Sequence, residues 1–220
     1  LGQLRTGATT ALAVKYLSNS DAATVGIIGT GYQAPTQLEA ISKVRSIKSV
    51  KAFSRTAENR DAFAKTMTDS LGLAVSSASG AQEVVEGSDV VICIAAATEP
   101  VVNGEWLASG VTLIGAGPTT WRIREVDDAA IVRADKIFVD SVEQARDEAG
   151  DMASAVDRGL LQWSQLLELR HAVAGTVLGR DNHNQIVFAK MMGTGVADVA
   201  AAKLAYDKAT EMGLGTEMEW

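Results

Sequence analysis

The chain has 220 residues, 47% of them hydrophobic and 21% charged, enough to bury one substantial core, or one domain plus part of another. Its net charge of −7 argues against nucleic acid and anionic membrane surfaces as partners, and no apolar run approaches the length of a membrane span. Cys93 is the lone cysteine and lies in an apolar run, so a small buried thiol, no internal disulfide and a reducing cytoplasmic setting are expected.

Leu4, Ala8, Ala11, Leu12 and Leu17 recur at helical spacing, so residues 1–17 read as a helix. That helix looks like the middle of a larger unit, and the expectation is a fragment whose N-terminal part lies outside this sequence. Next comes Thr24-Val-Gly-Ile-Ile-Gly29-Thr30-Gly31-Tyr32-Gln33-Ala34, a short apolar strand running into a G-x-G-x-x-A turn and a helix start. In such an element the first glycine makes the tight turn and the second lets the backbone approach a pyrophosphate. The small third residue brings helix and strand together, and the helix N-terminus offers free N–H groups to the anion. A turn without a ligand is the alternative. The strand before it and the helical pattern after it (Leu38, Ile41, Val44, Arg45) favour a dinucleotide.

Further strands are predicted over residues 50–53, 73–75, 90–94, 112–114 and 137–139, in addition to 25–28. Helices are predicted over 33–45, 58–71 and 81–86. This alternation means βαβ units and a parallel sheet covered on both faces. Beyond Asp140, helices are expected at Val142–Glu148 and over 163–173, then an edge strand over 185–188. A last helix over 195–212 carries Val196, Val199, Ala200, Leu204 and Ala205. The fold expected is α/β, a Rossmann-type doubly wound parallel sheet. Its flanking helices at the two ends would belong to a second domain mostly absent from the sequence.

The residues about 20–25 past the glycines discriminate between the two nicotinamide coenzymes. Here the strand end reads Phe53-Ser54-Arg55-Thr56, without a carboxylate to hold a ribose 2′-hydroxyl. Ser54 and Thr56 offer hydroxyls, and the Arg55 guanidinium suits a 2′-phosphate, a solvated loop charge being its plainer reading. NADP(H) is favoured and NAD(H) stays possible.

Several segments taken together resemble the ornithine cyclodeaminase/mu-crystallin family. They are Arg5-Thr-Gly-Ala8 with Thr10-Ala-Leu-Ala13, the glycine turn with Gln33-Ala34, and Ser54-Arg55-Thr56 with Asn59. The likeness continues through Arg124-Glu-Val-Asp-Asp128, Val139-Asp-Ser141, Glu148-Ala-Gly-Asp151, Lys190-Met-Met-Gly193 and Val199-Ala-Ala-Ala-Lys-Leu204. It covers nearly the whole chain in order. The resemblance implies a Rossmann domain over 19–193, joined to a substrate and dimerisation domain that would own residues 1–18 and 194–220. It also implies hydride exchange between a nicotinamide and an amino- or imino-acid carbon, in a homodimer of the full-length protein.

Carried over by position, Arg5 would hold the substrate carboxylate, as a bidentate guanidinium does well. Tyr32 and Gln33, with Gly29, Thr30, Gly31 and Ala34, would meet the pyrophosphate, and Ser54, Arg55, Thr56 and Asn59 the 2′-phosphate. Ala95, Ile114, Gly115, Ala116 and Gly117 follow strand ends where such ligands lie. Met191 and Met192 would line the nicotinamide and substrate, or else fill core gaps.

One departure stands out. Cyclodeaminases carry a catalytic aspartate where this chain has Thr119, within Gly117-Pro-Thr-Thr-Trp-Arg122. A threonine cannot serve as a carboxylate base near neutral pH, whereas reduction of a preformed imine asks only for a hydroxyl or water to help deliver a proton. The leading expectation is therefore an NAD(P)H-dependent reductase of a small imino acid, such as pyrroline- or piperideine-2-carboxylate. In it Thr119 would orient substrate or a proton-donating water. The alternatives are an ornithine-cyclodeaminase-type lyase using bound NAD catalytically, and a non-catalytic NADPH-binding protein like mu-crystallin.

Other ionisable groups read as structural. Asp127 and Asp128 suit an N-cap and first helical turn. His171 and His183 lack partners at metal spacing, so no metal is expected. Lys190 suits a helix cap or surface as well as a functional role. Trp121 falls where it would narrow access to the site.

Overall fold

The chain alternates helix and strand because apolar runs too short for a buried helix are separated by amphipathic segments. The computed structural model describes residues 1–216 and 218. Helix α1 (Gly2–Leu17) leads into β1 (Thr24–Ile28), α2 (Ala34–Ser42), β2 (Ser49–Phe53), α3 (Ala57–Leu71), β3 (Ala74–Ser77), α4 (Ala81–Val85), β4 (Val90–Cys93) and β5 (Thr112–Gly115). Then follow α5 (Asp128–Arg133), β6 (Lys136–Val139), α6 (Val142–Glu148), α7 (Gly150–Asp157), β7 (Leu166–Glu168), α8 (Leu169–Val173), β8 (Val187–Lys190) and α9 (Gly195–Glu211).

All eight strands form one parallel sheet in the order β3-β2-β1-β4-β5-β8-β6-β7. The strand order reverses between β1 and β4, the point where an open α/β sheet leaves a crevice outside its carboxyl ends. β4, β5 and β8 are buried along their full lengths. Their side chains alternate between two cores, as a period of two requires. Val90, Ile92, Ile114, Val187 and Ala189 face one core, and Val91, Cys93, Leu113 and Phe188 the other.

Helix α1 belongs to the first core through Ala11, Ala13, Val14 and Leu17. It lies so close to α2 that a Cβ on Gly7 would sit 2.4 Å from the Thr36 carbonyl oxygen. Its last turn leaves carbonyls without helical partners. Arg45 covers them, Nη2 donating to Val14 at 3.1 Å and Lys15 at 2.8 Å. By contrast α9 buries none of its residues, and Val196, Val199, Leu204 and Tyr206 are exposed.

Three expectations need correction. Residues 163–173 are not one helix but a 3₁₀ turn, strand β7 and short α8. The Leu166-Leu167 pair fits either state, and pairing with the free edge of β6 (Ile137 with Leu166, Val139 with Glu168) decides for strand. The predicted edge strand over 185–188 runs instead over Val187–Lys190 and lies inside the sheet between β5 and β6. The polar loop before it hides that central position. Helix α7 was not anticipated.

Asp89 ties the amino ends of β1 and β4, accepting from the Ala23 and Thr24 N–H groups and the Thr24 hydroxyl, each at 2.8 Å. Burial opposes its ionisation, but these bonds prevail and hold its carboxyl below the usual range. A carboxyl depressed in the folded state stabilises it above the ordinary carboxylate pKa, and that stability is lost as pH falls toward the folded-state value. Asp89→Asn should therefore be less stable at neutral pH and show a shallower stability loss on acidification than the wild type, measured by urea unfolding at several pH values. Gly7→Ala should lower the unfolding free energy by about 1–3 kcal/mol, as overpacking of a tight contact does. Gly2→Ala, with nothing within 4 Å of the added Cβ, is its neutral control in the same denaturation series.

Candidate cofactor and substrate site

β1 ends in a turn that only glycine can make. Gly29 has φ +103°, and a Cβ there would lie 2.5 Å from the Ile94 carbonyl oxygen. Its N–H donates to Phe53 O at 2.8 Å, which keeps the turn flush with the end of β2. At Gly31 the situation is opposite, since a Cβ would meet nothing within 4 Å and would project into open space. Ala34 is buried as α2 begins and lets that helix sit against the strand.

Above this turn is a cavity of about 360 Å³ lined by Gly29, Thr30, Gly31, Tyr32, Gln33, Ser54, Arg55, Thr56, Asn59 and Ala95. These ten are residues the sequence reading assigned to the coenzyme; Ile28, Phe53, Ile94, Ala96, Ala97 and Val101, which it did not, complete the lining. Thr30 donates its hydroxyl to Ser54 at 2.9 Å, and Ser54 in turn donates to Thr56 O at 3.2 Å. Arg60, which the sequence reading passed over, fixes this loop by donating to Ser54 O at 3.0 Å, with its guanidinium 5.7 Å from the Phe53 ring centre. Arg55 is exposed.

A second cavity of about 370 Å³ adjoins the first, with Gln33, Ile94, Ala95 and Ala96 lining both. Its walls are Arg5, Thr6 and Thr9 from α1, Ala116, Gly117 and Pro118 after β5, and Met191, Met192 and Gly193 after β8. Gln33 Oε1 is buried at the junction without a hydrogen-bond partner among the described residues.

Arg5 is one-fifth exposed and donates from Nε to Asp198 of α9 at 2.7 Å. Gly193, at φ +89°, makes room for it, since a Cβ there would lie 2.5 Å from Arg5 Nη1. Asp140 shapes the same corner by accepting from the Met192 and Gly193 N–H groups at 2.7 and 2.6 Å. Burial pushes its carboxyl above the usual range, with those bonds and the Arg5 charge opposing the rise.

Four residues expected at the site lie elsewhere. Ile114 and Gly115 are the last two residues of β5, buried within the sheet, and line neither cavity; the lining begins with Ala116 beyond the strand. Thr119 is exposed, one residue beyond Pro118, and is not part of either lining. Trp121 is 60% exposed under the Arg122 guanidinium, in a separate groove with Arg146 and Trp163. It does not narrow the cavity.

Lys190 is neither a helix cap nor a surface residue. It is fully buried at the end of β8, with Nζ 2.6 Å from Glu125 and 3.4 Å from Asp151. Burial works against its charge, but the two carboxylates prevail and raise its pKa. Burial raises that of Glu125, against the attraction of Lys190. The available signal was a lysine ending an apolar strand, in company with Glu125 and Asp151 in the other motif segments. Asp127 caps α5 as expected, accepting from Ala130 N and Gly104 N, both at 2.9 Å. Cys93 is buried, and burial raises its thiol pKa well above the ordinary value.

The model of the ornithine cyclodeaminase/mu-crystallin family matches residues 1–213. A Delta(1)-pyrroline-2-carboxylate reductase of Bacillus cereus is 35% identical over 221 aligned positions, which span the whole chain and 68% of that protein. The structure of the Thermococcus litoralis Delta(1)-pyrroline-2-carboxylate reductase in complex with NADH and L-proline superposes with a TM-score of 0.95 at 36% identity, over 99% of this chain and 67% of that one. An archaeal alanine dehydrogenase dimer with bound NAD gives 0.92 at 30% identity, over 99% and 67%. With its motif segments assembled around two adjoining cavities and its full length matched by these relatives, the chain belongs to the ornithine cyclodeaminase/mu-crystallin family.

Proposed function

We propose that this chain binds NAD(P)H and reduces the C=N bond of a small imino acid, a cyclic ketimine of the pyrroline-2-carboxylate kind. The observation that carries this reading is that two adjoining cavities share Gln33, Ile94, Ala95 and Ala96, with a glycine turn in the wall of one and Arg5 in the wall of the other. The residues present fit a dinucleotide. Gly31 leaves a cradle that a side chain would fill, and Gln33 offers a buried, unpartnered carbonyl oxygen where the two cavities adjoin. When bound, the coenzyme's reduced nicotinamide supplies a hydride to the imine carbon.

The chain's own residues do the rest. Arg5 holds the substrate carboxylate through its Nη groups, since Asp198 occupies Nε. Met191 and Met192 give the cavity an apolar wall that keeps water off the reacting face. No Asp or Glu is among the described residues lining that cavity. Glu125 and Asp140, beside it, are engaged by Lys190 and by backbone N–H groups. This favours reduction over cyclodeamination, which needs a carboxylate to manage protons at a leaving amine. The exposed position of Thr119 leaves proton delivery to a water in the cavity.

Arg55 beside the Ser54 and Thr56 hydroxyls supports a preference for NADP(H), while the NADH bound by the Thermococcus relative keeps NAD(H) open. The apolar residues that α1 and α9 leave exposed suit a substrate and dimerisation domain built partly from these helices, in a homodimeric cytoplasmic enzyme.

The deciding assay runs the complete protein carrying this chain with NADPH and pyrroline-2-carboxylate, beside ammonia release from ornithine. Stoichiometric loss of reduced coenzyme without ammonia is expected. Ammonia without net coenzyme change would establish the lyase, and tight coenzyme binding with no turnover of any imino acid the crystallin-like role. Arg5→Lys, which keeps the charge but loses the fork, should lower kcat/KM by roughly a hundredfold and leave the coenzyme Kd unchanged. Arg55→Ala should weaken NADPH binding by roughly tenfold to a hundredfold and NADH binding hardly at all, by fluorescence titration. Equal weakening of both coenzymes would remove Arg55 from the 2′-phosphate pocket.

A further inference from the structure

Three charged side chains lie at 0–1% exposure directly behind the cavity wall: Lys190, Glu125 and Asp151. Such a cluster is an expensive way to fill a core, because the desolvation of each ion rivals what their pairing returns. Apolar side chains of similar volume would stabilise the fold as well or better. What the cluster does that apolar residues cannot is hold particular backbone atoms.

Those atoms belong to one segment. Lys190 Nζ donates to Pro118 O at 3.2 Å, and Gly117 N–H donates to both Glu125 oxygens at 3.1 Å. Asp151 in turn fixes Glu125 itself, accepting from the Glu125 and Val126 N–H groups at 2.7 and 3.0 Å. Gly117 and Pro118 line the substrate cavity, and so do Met191 and Met192, the two residues after Lys190. The cluster thus joins both strand-end segments that face Arg5 across the cavity. Gly117 is part of the arrangement, since a Cβ there would lie 2.2 Å from Glu125 Oε1. None of these bonds reaches the glycine turn or the Ser54-Arg55-Thr56 loop.

We infer that Lys190, Glu125 and Asp151 are positioning residues that set the Gly117–Pro118 wall of the substrate cavity and so govern turnover without governing coenzyme affinity. This rests on the reading of that cavity as the site of imine reduction. Lys190 acts through the Pro118 carbonyl and Glu125 through the Gly117 amide, and neither touches the reacting atoms.

The test uses the complete protein and the double variant Lys190→Met/Glu125→Gln, which removes one buried charge of each sign. At a temperature where circular dichroism shows it folded, its NADPH Kd should stay within threefold of wild type. Its kcat/KM for the imino acid should fall at least tenfold. Glu125→Gln alone, which keeps the Gly117 acceptor and leaves Lys190 paired with Asp151, should retain kcat/KM within threefold. A folded double variant with native kcat and KM, or one that loses coenzyme and substrate in parallel, overturns the inference. If the double variant does not fold, Gly117→Ala decides. It pushes the wall off Glu125 with no change of charge and should give the same split, and a native kcat/KM in that variant rejects the proposal. Were the wild type to turn over no imino acid, the functional reading would fail separately. The emission of bound NADH, altered in the variants or identical to wild type, would then still decide for or against a positioned wall beside the nicotinamide.

Discussion

A parallel strand can be followed only by a crossover that carries the chain back over the sheet, so every strand of this sheet ends on the same side. The site depends on that constraint. β1 delivers Gly29, β2 delivers Ser54, β4 delivers Ala95, β5 delivers Ala116 and Gly117, and β8 delivers Met191 and Met192. Residues from five separate parts of the sequence meet at one edge without any long-range signal between them. Other residues come from helices, Asn59 from α3 and Arg5, Thr6 and Thr9 from α1, which reaches the edge because Gly7 lets it lie almost on the backbone of α2.

The same constraint explains which half of the site could be read in advance. The coenzyme end is made mostly of backbone, so its demands fall on residue type at fixed spacing. Gly29 must accept a positive φ, Gly31 must leave space and Ala34 must be small, and each leaves a mark that survives in a single sequence. The wall around the substrate cavity is backed by buried polar side chains whose partners lie 26 to 65 residues apart, as with Glu125, Asp151 and Lys190. Nothing local distinguishes a lysine ending a central strand from one ending an edge strand. Lys190 was therefore left open between a helix cap or surface place and a functional role, beyond a strand that was placed at the edge. Once β8 lies between β5 and β6, its terminal ammonium has no route to water and carboxylates must come to it.

One misreading in the second half of the chain has a related origin. The predicted helix over 163–173 falls where a short apolar pair satisfies more than one period, and pairing with β6 chose strand for it. In the first half, by contrast, strands β1, β2 and β4 are each flanked by a strong turn or cap signal. There the expected strands begin or end within a residue or so of the observed ones.

Charge near the reacting centre carries the last step of the argument. The resemblance sets Thr119 at the aspartate position of cyclodeaminases, yet Thr119 is exposed and lines neither cavity, so its hydroxyl does not stand at the cavity in a carboxylate's stead. Among the described residues four acids lie close to the cavity, and each is engaged: Asp198 accepts from Arg5, Asp151 accepts from the Glu125 and Val126 N–H groups, and Glu125 and Asp140 have partners of their own. Glu125 is paired with Lys190, and Asp140 accepts from two backbone N–H groups that it must keep if Met192 and Gly193 are to stay where they are. Recruiting either as a general base would break the wall it supports. A cavity with one cation, two apolar methionines and no available carboxylate suits a step in which hydride and a solvent-derived proton add to a preformed imine. It does not suit one in which an amine must be activated, attacked and expelled.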